Sequence, residues 1–399
     1  MKTSTTQTSL SVPLLALMMS FLAFSIDAVL PALEIIGKDL NIKELTEKQQ
    51  VISSIFLGLA IGQLGFGPLS DSLGRKPAIY IGFLFFSIGT LICILAQSMP
   101  VMVVGRFLQG FGLSSNRIVC VALIRDVFKG NEMAKIMSLI MTIFILIPIL
   151  APILGQYILQ FGDWELIFIV LFIFTLLVTF AFALKQQETL APEHRIPFSF
   201  SKSSKALKEI AKEKQAMQYT IISGLVFGAF MTYLNLSQDI FQNLYQKGEN
   251  FPYYFGLVAV SVGLTSFLNG KFVDRFGMLN IVRYSLFGIL VLSLGFQCYL
   301  IVFQHPSFTV FLSLWIPMMF CVGFLFGNLN SIAMEPLGHI AGIGASVVGS
   351  LSTLIGVPIS AYVGSLYDGN LQPLVGIFLV VSALSLVYIF WSKWVGDKG

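Results

Sequence analysis

The stretch that decides the fold is Gly67-Pro-Leu-Ser-Asp71-Ser-Leu-Gly74-Arg75-Lys76. It returns 203 residues later as Gly270-Lys-Phe-Val-Asp274-Arg-Phe-Gly277, with Gly, Asp and Gly at identical spacing. A repeat on this scale indicates that the chain consists of two related halves, each of which contains one copy of the loop.

The chain on either side of both loops is strongly apolar. Hydrophobic residues make up 56% of the 399 residues and charged residues only 11%, against about a quarter in soluble domains. A soluble fold has too little interior to cover so much apolar surface, so we expect lipid around the protein. A helix needs roughly 20 apolar residues to cross a bilayer, because the hydrocarbon core is about 30 Å thick.

Apolar runs of this length alternate with short polar joints and predict an all-α membrane protein of twelve transmembrane helices in two pseudo-symmetric six-helix bundles. The predicted helices span 11–36, 48–70, 77–97, 100–127, 134–160, 163–185, 217–243, 251–272, 279–303, 307–331, 339–366 and 372–394. A polar linker, 186–216, separates an N-terminal bundle (1–185) from a C-terminal bundle (217–399). Its second half, 201–214, has the composition of an amphipathic surface helix.

The distribution of Lys and Arg predicts the orientation. An even number of helices puts both termini on one side, and eighteen of the 24 Lys and Arg residues fall on that side. Four fall on the opposite side and two lie within a helix. Because cytoplasmic loops carry the excess of positive charge, we expect both termini and the linker in the cytoplasm.

Sequence motifs for enzymatic or metal chemistry are absent. The four cysteines all lie in apolar runs, without metal-binding spacing, and there is no phosphate-binding loop, serine-hydrolase elbow or zinc-protease motif. We therefore expect no enzyme, no cofactor, no metal and no nucleic-acid partner. The remaining energy source for work across a membrane is the proton gradient.

The GPLSDSLGRK loop is similar to the signature loop of the major facilitator superfamily. Further motifs follow in the order of its Bcr/CflA branch of drug:proton antiporters, namely Asp27-Ala-Val-Leu-Pro31, Arg106-Phe-Leu-Gln109-Gly110, Arg125-Asp126 and Pro148-Ile-Leu-Ala-Pro152-Ile-Leu-Gly155. The resemblance implies a monomeric twelve-helix antiporter of the bacterial inner membrane. Its partners would be small-molecule substrates, protons and the lipid bilayer.

Asp27 lies within predicted helix 1, where a carboxylate costs about 3 kcal/mol on insertion scales. A buried carboxyl group takes up a proton more readily than one in water, so Asp27 is a candidate for proton coupling. The alternative is a structural acid that pairs with a neighbouring helix. The resemblance implies that Arg106 shares in the coupling, as a gate or counter-charge.

Two arginines lie on one face of predicted helix 4. Arg106, Gln109 and Arg117 follow helical spacing, with the arginines about 16 Å apart along the axis. Such a face suggests a water-filled cavity that favours anionic substrates. The alternative is that Arg117 only pairs with an acid, namely Asp27, Asp239 or Glu34.

Predicted helix 7 supplies further candidates for the cavity wall. Phe227, Met231, Asn235 and Asp239 recur at every fourth residue and so lie roughly on one face, with Tyr233 nearby. Asp239 is either a second protonation site or substrate contact, or an acid at the helix end in the outer polar zone.

The signature loop predicts a conformational latch. Its glycines allow close backbone approach, and its acids can cap the next helix or accept hydrogen bonds from arginines. Such a charge cluster can favour one of two rocking states. The predicted members are Gly67, Asp71, Gly74, Arg75, Lys76, Arg125, Asp126 and, in the repeat, Asp274.

Prolines predict a bend in helix 5. Pro148 and Pro152 remove helix hydrogen bonds, and Gly155 matches the glycine of the family's packing surface in this helix.

The sequence thus favours a proton-coupled antiporter that exports drug-like compounds or metabolites by alternating access. Two alternatives stay open. One is a dedicated exporter of a siderophore or another carboxylate metabolite. The other is a membrane-embedded sensor or scaffold.

Overall fold

The computed structural model describes residues 11–42, 45–128, 130–197, 208–248 and 250–396, and this part of the chain is almost entirely helical. No β-strand occurs in it. Much of the linker, at 198–207, and both chain termini lie outside the described residues, so the predicted surface helix is described only at 208–212.

The helices form two sets that are separated by the linker. The N-terminal set is α1 (Val12–Asp27), α2 (Leu33–Asp39), α3 (Leu45–Leu73), α4 (Arg75–Ile94), α5 (Met99–Val127), α6 (Gly130–Ile158) and α7 (Glu165–Lys185). The C-terminal set is α8 (Lys214–Gln238), α9 (Phe251–Phe276), α10 (Met278–Phe303), α11 (Phe308–Met334), α12 (Ala341–Ser365) and α13 (Gln372–Gly396).

These helices have the length and composition of membrane spans. Eleven spans are recognisable within the described residues, with α1 and α2 together forming the first, Val12–Asp39. The 29-residue α6 adds a twelfth long helix. Large apolar side chains such as Leu95 and Phe267 are 75% and 78% exposed, which is stable only against lipid. The all-α membrane fold is confirmed.

Helix 1 forms a single membrane span, Val12–Asp39, in agreement with the predicted helix over 11–36, but it is broken within that span. α1 ends at Asp27, a 3₁₀ turn covers Leu30–Ala32, and α2 begins at Leu33. Pro31 explains the break, because it has no N–H to donate to the carbonyl of Asp27 four residues earlier. The break therefore lies at the residue that the sequence singled out.

Helix 7 is also irregular at its outer end. α8 is regular through Gln238 and continues as a π-helical turn, Asp239–Leu244. Such turns are often found at functional sites. Helix 1 and helix 7 occupy equivalent places in the two halves, so both halves depart from regular helix near an aspartate.

The two halves meet along two seams, α3 against α12 and α6 against α9. On the first seam the Ser350 hydroxyl donates to the Ala60 carbonyl over 2.7 Å. Near its outer end the Asn235 amide donates to Ser53 of α3 and Ser360 of α12, over 3.0 and 2.9 Å. Small residues and side-chain hydrogen bonds hold helices together in lipid, where the hydrophobic effect does not.

Candidate functional site

Asp27 ends α1 at the break, inside the protein. It is only 5% exposed, and its carboxyl group has no hydrogen bond or ion pair within the described residues. Tyr233 of the C-terminal half lies close enough to interact with it electrostatically. Among the described residues, Asp27 therefore has no compensating charge or hydrogen bond, and it lies near the other half.

Two buried polar groups lie near this acid. The Tyr233 hydroxyl and the Trp315 indole N–H are close enough to interact with each other, but neither forms a well-aligned hydrogen bond within the described residues. Their rings are 5.2 Å apart. Buried polar groups usually have partners, so this cluster can accept a proton, a water molecule or a polar group of a ligand.

Arg106 of α5 is fully buried and connects three helices. Its Nε donates to the Val51 carbonyl over 2.8 Å, and its Nη1 donates to the Ser25 carbonyl over 3.0 Å and to Gln109 over 2.9 Å. Nη2 has no hydrogen-bond partner in the described part of the chain. Its direct partners are thus carbonyl oxygens, and the expected counter-charge contact with Asp27 is not formed.

Gln109 does not line an open surface. It is fully buried, accepts from Arg106, and its amide donates to the Thr90 hydroxyl over 2.8 Å. One end of the side chain is therefore bonded to Arg106 within α5, and the other links α5 to α4. This corrects the prediction that Gln109 belongs to the cavity wall.

Arg117 has the accessibility expected of a cavity residue. Arg117 is exposed in this structure. None of the three acids named as alternative partners forms an ion pair with it. Glu34 instead binds Lys48 over 2.6 Å and Lys38 over 3.8 Å.

The helix 7 candidates mostly seal the junction between the halves. Met231 and Tyr233 are buried, and Phe227 packs edge-on against Phe56 of α3, with ring centroids 5.5 Å apart. The Asn235 amide donates hydrogen bonds to the hydroxyls of Ser53 and Ser360. Phe227 and Asn235 thus contact α3 of the other half directly, and Met231 is buried beside them on the same helix.

The surroundings of Asp239 differ from those of Asp27. It begins the π-helical turn and is half-buried, and the Asn243 amide donates to its Oδ1 over 2.7 Å. This arrangement fits the reading of a helix-end acid in the outer polar zone better than that of a second buried protonation site.

Arg75 is the centre of the signature loop. It is 3% exposed, and its guanidinium donates to Asp71 over 2.6 Å, to Asp126 over 2.9 Å and to the Ser70 hydroxyl over 2.9 Å. The cluster joins the ends of α3, α4 and α5. It depends on Gly74, whose φ of 108° brings the chain from α3 into α4.

The linker contributes a residue that the sequence reading missed. The two carboxylate oxygens of Glu188 accept from the backbone N–H groups of Arg75 and Lys76, over 3.0 and 2.9 Å. Glu188 thus caps α4, whereas Asp71, for which the sequence allowed either capping or bonding to an arginine, accepts from Arg75. The Thr189 hydroxyl donates to Asp126 over 2.8 Å. No spacing pattern indicates the Glu188 contacts, because they join residues 113 and 112 positions apart.

Other predicted latch residues lie outside this cluster. Arg125 is exposed and approaches Gly342 of α12, and Gly67 approaches Ser346 of the same helix. Lys76 donates to the Ala183 carbonyl over 3.3 Å. Asp274 is exposed, with no hydrogen bond in the described residues.

The two prolines of α6 are accommodated within one helix, Gly130–Ile158. Gly155 lies directly against the Ala28 carbonyl, and a Cβ at Gly155 would clash with it. Since Ala28 follows Asp27, the predicted packing glycine supports the break in helix 1.

Comparison with known proteins agrees with this architecture. The model of the Major Facilitator Superfamily matches residues 14–357. An uncharacterised MFS-type transporter of Bacillus subtilis is 30% identical over 369 residues, 92% of this chain and 91% of the relative. A bicyclomycin resistance protein homolog of Haemophilus influenzae is 28% identical over 377 residues, 92% of each chain. The xylose transporter of E. coli, solved in a partially occluded inward open conformation, shares the fold, with a TM-score of 0.72 at 14% identity over 95% of this chain and 97% of that one.

Proposed function

The chain belongs to the major facilitator superfamily, whose members are transporters rather than enzymes, and on that premise we propose that it is a proton-coupled antiporter. It exports small molecules across the bacterial inner membrane by alternating access. The bicyclomycin resistance homolog supports drug-like compounds as the substrate class.

The observation that carries the proposal is the environment of Asp27. An acid that is 5% exposed and has no described hydrogen bond changes the local charge whenever it gains or loses a proton. Tyr233 of the other half lies within electrostatic reach. The charge of Asp27 therefore alters the free energy of contact between the halves, which is what coupling a proton to rocking requires.

Arg106 acts in this proposal through the backbone. It donates a hydrogen bond to the carbonyl of Ser25, which lies two residues before Asp27. The break in helix 1 begins directly after Asp27. A movement of α1 against α5 would have to break the hydrogen bond between Arg106 and the Ser25 carbonyl. Arg106 is thus a positioning residue for the acid.

The remaining features of the proposal follow the charge distribution. The termini and the linker lie in the cytoplasm, the protein works as a monomer, and the proton gradient supplies the energy without a cofactor. Protons enter from the outer side and are exchanged for substrate taken from the cytoplasm.

A carboxylate metabolite is the second candidate substrate, favoured by Arg117. An accessible arginine without an ion pair in the described residues offers a site for an anion. Drug export does not need this charge.

The test is transport in proteoliposomes under an imposed pH gradient, with bicyclomycin and a tricarboxylate as probes. We expect Asp27→Asn to lower gradient-driven accumulation at least tenfold while exchange without a gradient persists. Asp163→Asn, at an exposed acid, is the matched control. Full accumulation by Asp27→Asn would reject the coupling role. Tricarboxylate transport that is lost in Arg117→Gln would select the second substrate class.

A further inference from the structure

A cleft in the C-terminal half takes no part in the proposed transport. Its volume is about 670 Å³, and it lies where α10 begins, with walls from α8, α10 and α11. Lys214, Tyr219, Met278, Asn280 and Glu335 are among the lining residues. The cleft is confined to one half and is on the same end of the bundle as the signature loop.

The start of α10 opens into this cleft. The backbone N–H groups of Met278, Leu279 and Asn280 have no acceptor in the described part of the chain, whereas Ile281 N–H donates to the Gly277 carbonyl over 3.2 Å. Unpaired N–H groups at a helix start, together with the helix dipole, attract anions.

The equivalent helix of the other half shows what such a start binds. By the 203-residue repeat, Arg75, Lys76 and Pro77 correspond to Met278, Leu279 and Asn280. The first two N–H groups are held by the Glu188 carboxylate, and Pro77 has no N–H. In the N-terminal half, therefore, every free donor at this place is satisfied by an anion that the chain itself supplies.

A second polar group in the cleft is also without a partner. Tyr219 is 7% exposed and lines the cleft, and its hydroxyl makes no hydrogen bond within the described residues. The Arg283 guanidinium lies within electrostatic reach of it, and the Nε of Arg283 is buried without a hydrogen-bond partner. The cleft thus combines the hydroxyl of a largely buried tyrosine with nearby positive charge.

The acid in the cleft wall is already engaged. Glu335 accepts from the Gln215 amide over 3.0 Å. The free donors are therefore three N–H groups, the Tyr219 hydroxyl and the Lys214 ammonium. The Glu188 carboxylate serves two N–H groups of α4 with two oxygens, whereas this larger donor set matches an anion with three or more acceptor oxygens.

We propose that the cleft at the start of α10 binds a phosphate group. The group belongs either to a soluble phosphate compound of the cytoplasm or to the headgroup of an anionic lipid. It would take the place that Glu188 has in the other half, and so would bind the ends of α8, α10 and α11 together. The site does not depend on the proposed substrate or on proton coupling.

The test uses the purified full-length protein and follows its thermal unfolding. One arm titrates inorganic phosphate at constant ionic strength in detergent. The other compares phosphatidylcholine nanodiscs with and without one-fifth phosphatidic acid. We expect a saturable rise of the unfolding temperature in at least one arm. Tyr219→Phe and, independently, Lys214→Gln should raise the half-saturating concentration or lipid fraction about tenfold, since each loses a hydrogen bond to a charged group.

The matched control is Tyr80→Phe, a half-buried tyrosine of α4 beside Phe182, which should leave the response unchanged. A response in the phosphate arm identifies a soluble source, and a response confined to phosphatidic acid identifies a lipid headgroup. The proposal is overturned if neither arm gives a saturable shift, or if both cleft variants respond as Tyr80→Phe does.

Discussion

The two copies of the Gly–Asp–Gly loop follow the same backbone path but differ in their side-chain hydrogen bonds. Gly74 and Gly277 both have positive φ, 108° and 75°, and each is followed at once by a long helix. In the first copy Arg75 is buried among two carboxylates and a serine. In the second copy Met278 stands at that position, and Asp274 is exposed without a described hydrogen bond.

This difference teaches that the repeat preserves a turn and not a charge cluster. The glycines make the reversal between helices in both halves, because the conformation is costly for any other residue. The electrostatic cluster needs an arginine directly after the second glycine, a nearby acid on the helix 4 equivalent and a linker that passes over the loop. Only the N-terminal half has the arginine after the second glycine and the linker that passes over the loop.

The largest expected effect comes from exchanging the residues that differ. Arg75→Met places the residue of the second copy in the first and leaves Asp71 and Asp126 without their cation. We expect the free energy of unfolding to fall by about 3 kcal/mol, which is at the lower end for breaking a buried ion pair. The effect is not larger because Asp71 and Asp126 are 42% and 17% exposed. The measurement is the thermal unfolding temperature in detergent.

The reciprocal variant, Met278→Arg, is the control for this exchange. Its equivalent acid, Asp274, is exposed, and an exposed i,i+4 ion pair adds little stability, so we expect a change within about 0.5 kcal/mol. Equal destabilisation by the two variants would mean that the loops are equivalent after all.

An intermediate effect is expected from the glycines. Gly74→Ala combines backbone strain with a clash, since a Cβ at residue 74 would come within 2.6 Å of the Glu188 carboxylate. We expect the free energy of unfolding of Gly74→Ala to fall by about 2 kcal/mol. Gly277→Ala introduces strain alone, because no atom lies within 4 Å of its Cβ position, and should cost about 1 kcal/mol. Unfolding temperatures that fall equally would show that Glu188 does not fix the first loop.

Much of the fold could be predicted from the sequence because lipid imposes a simple rule. Any run of about 20 apolar residues must be a helix in a bilayer, so the spans and the two halves follow from hydropathy and the repeat. The break at Asp27 required one further step. Pro31 removes the hydrogen bond to the Asp27 carbonyl four residues earlier, and the hydropathy of the run does not show this.

The site was less predictable because it depends on contacts distant in sequence. Asp27 and Arg106 could be singled out, since a charge within an apolar run is conspicuous. Their partners could not, because Arg106 uses backbone carbonyls at Ser25 and Val51, and every residue has a carbonyl. Helical spacing placed Gln109 on the same face as Arg117, but the packing of α4 buries that part of the face.

The smallest effect is expected from the linker acid. Glu188→Gln keeps the shape of the side chain and can still accept a hydrogen bond, but it removes the charge from the start of α4. We expect a loss of about 1 kcal/mol, typical of a charged helix cap. The loss should appear locally, as faster hydrogen exchange at the N–H groups of Arg75 and Lys76.

Glu193→Gln, at an exposed acid five residues further along the linker, controls for the general effect of removing one negative charge there. It should leave exchange at both N–H groups unchanged. Exchange at Leu279 supplies the internal reference, since its N–H corresponds to that of Lys76 and has no acceptor in the described residues. If Leu279 and Lys76 exchange at the same rate in the unmodified protein, the contact with Glu188 does not protect the first loop and the contrast between the two halves fails.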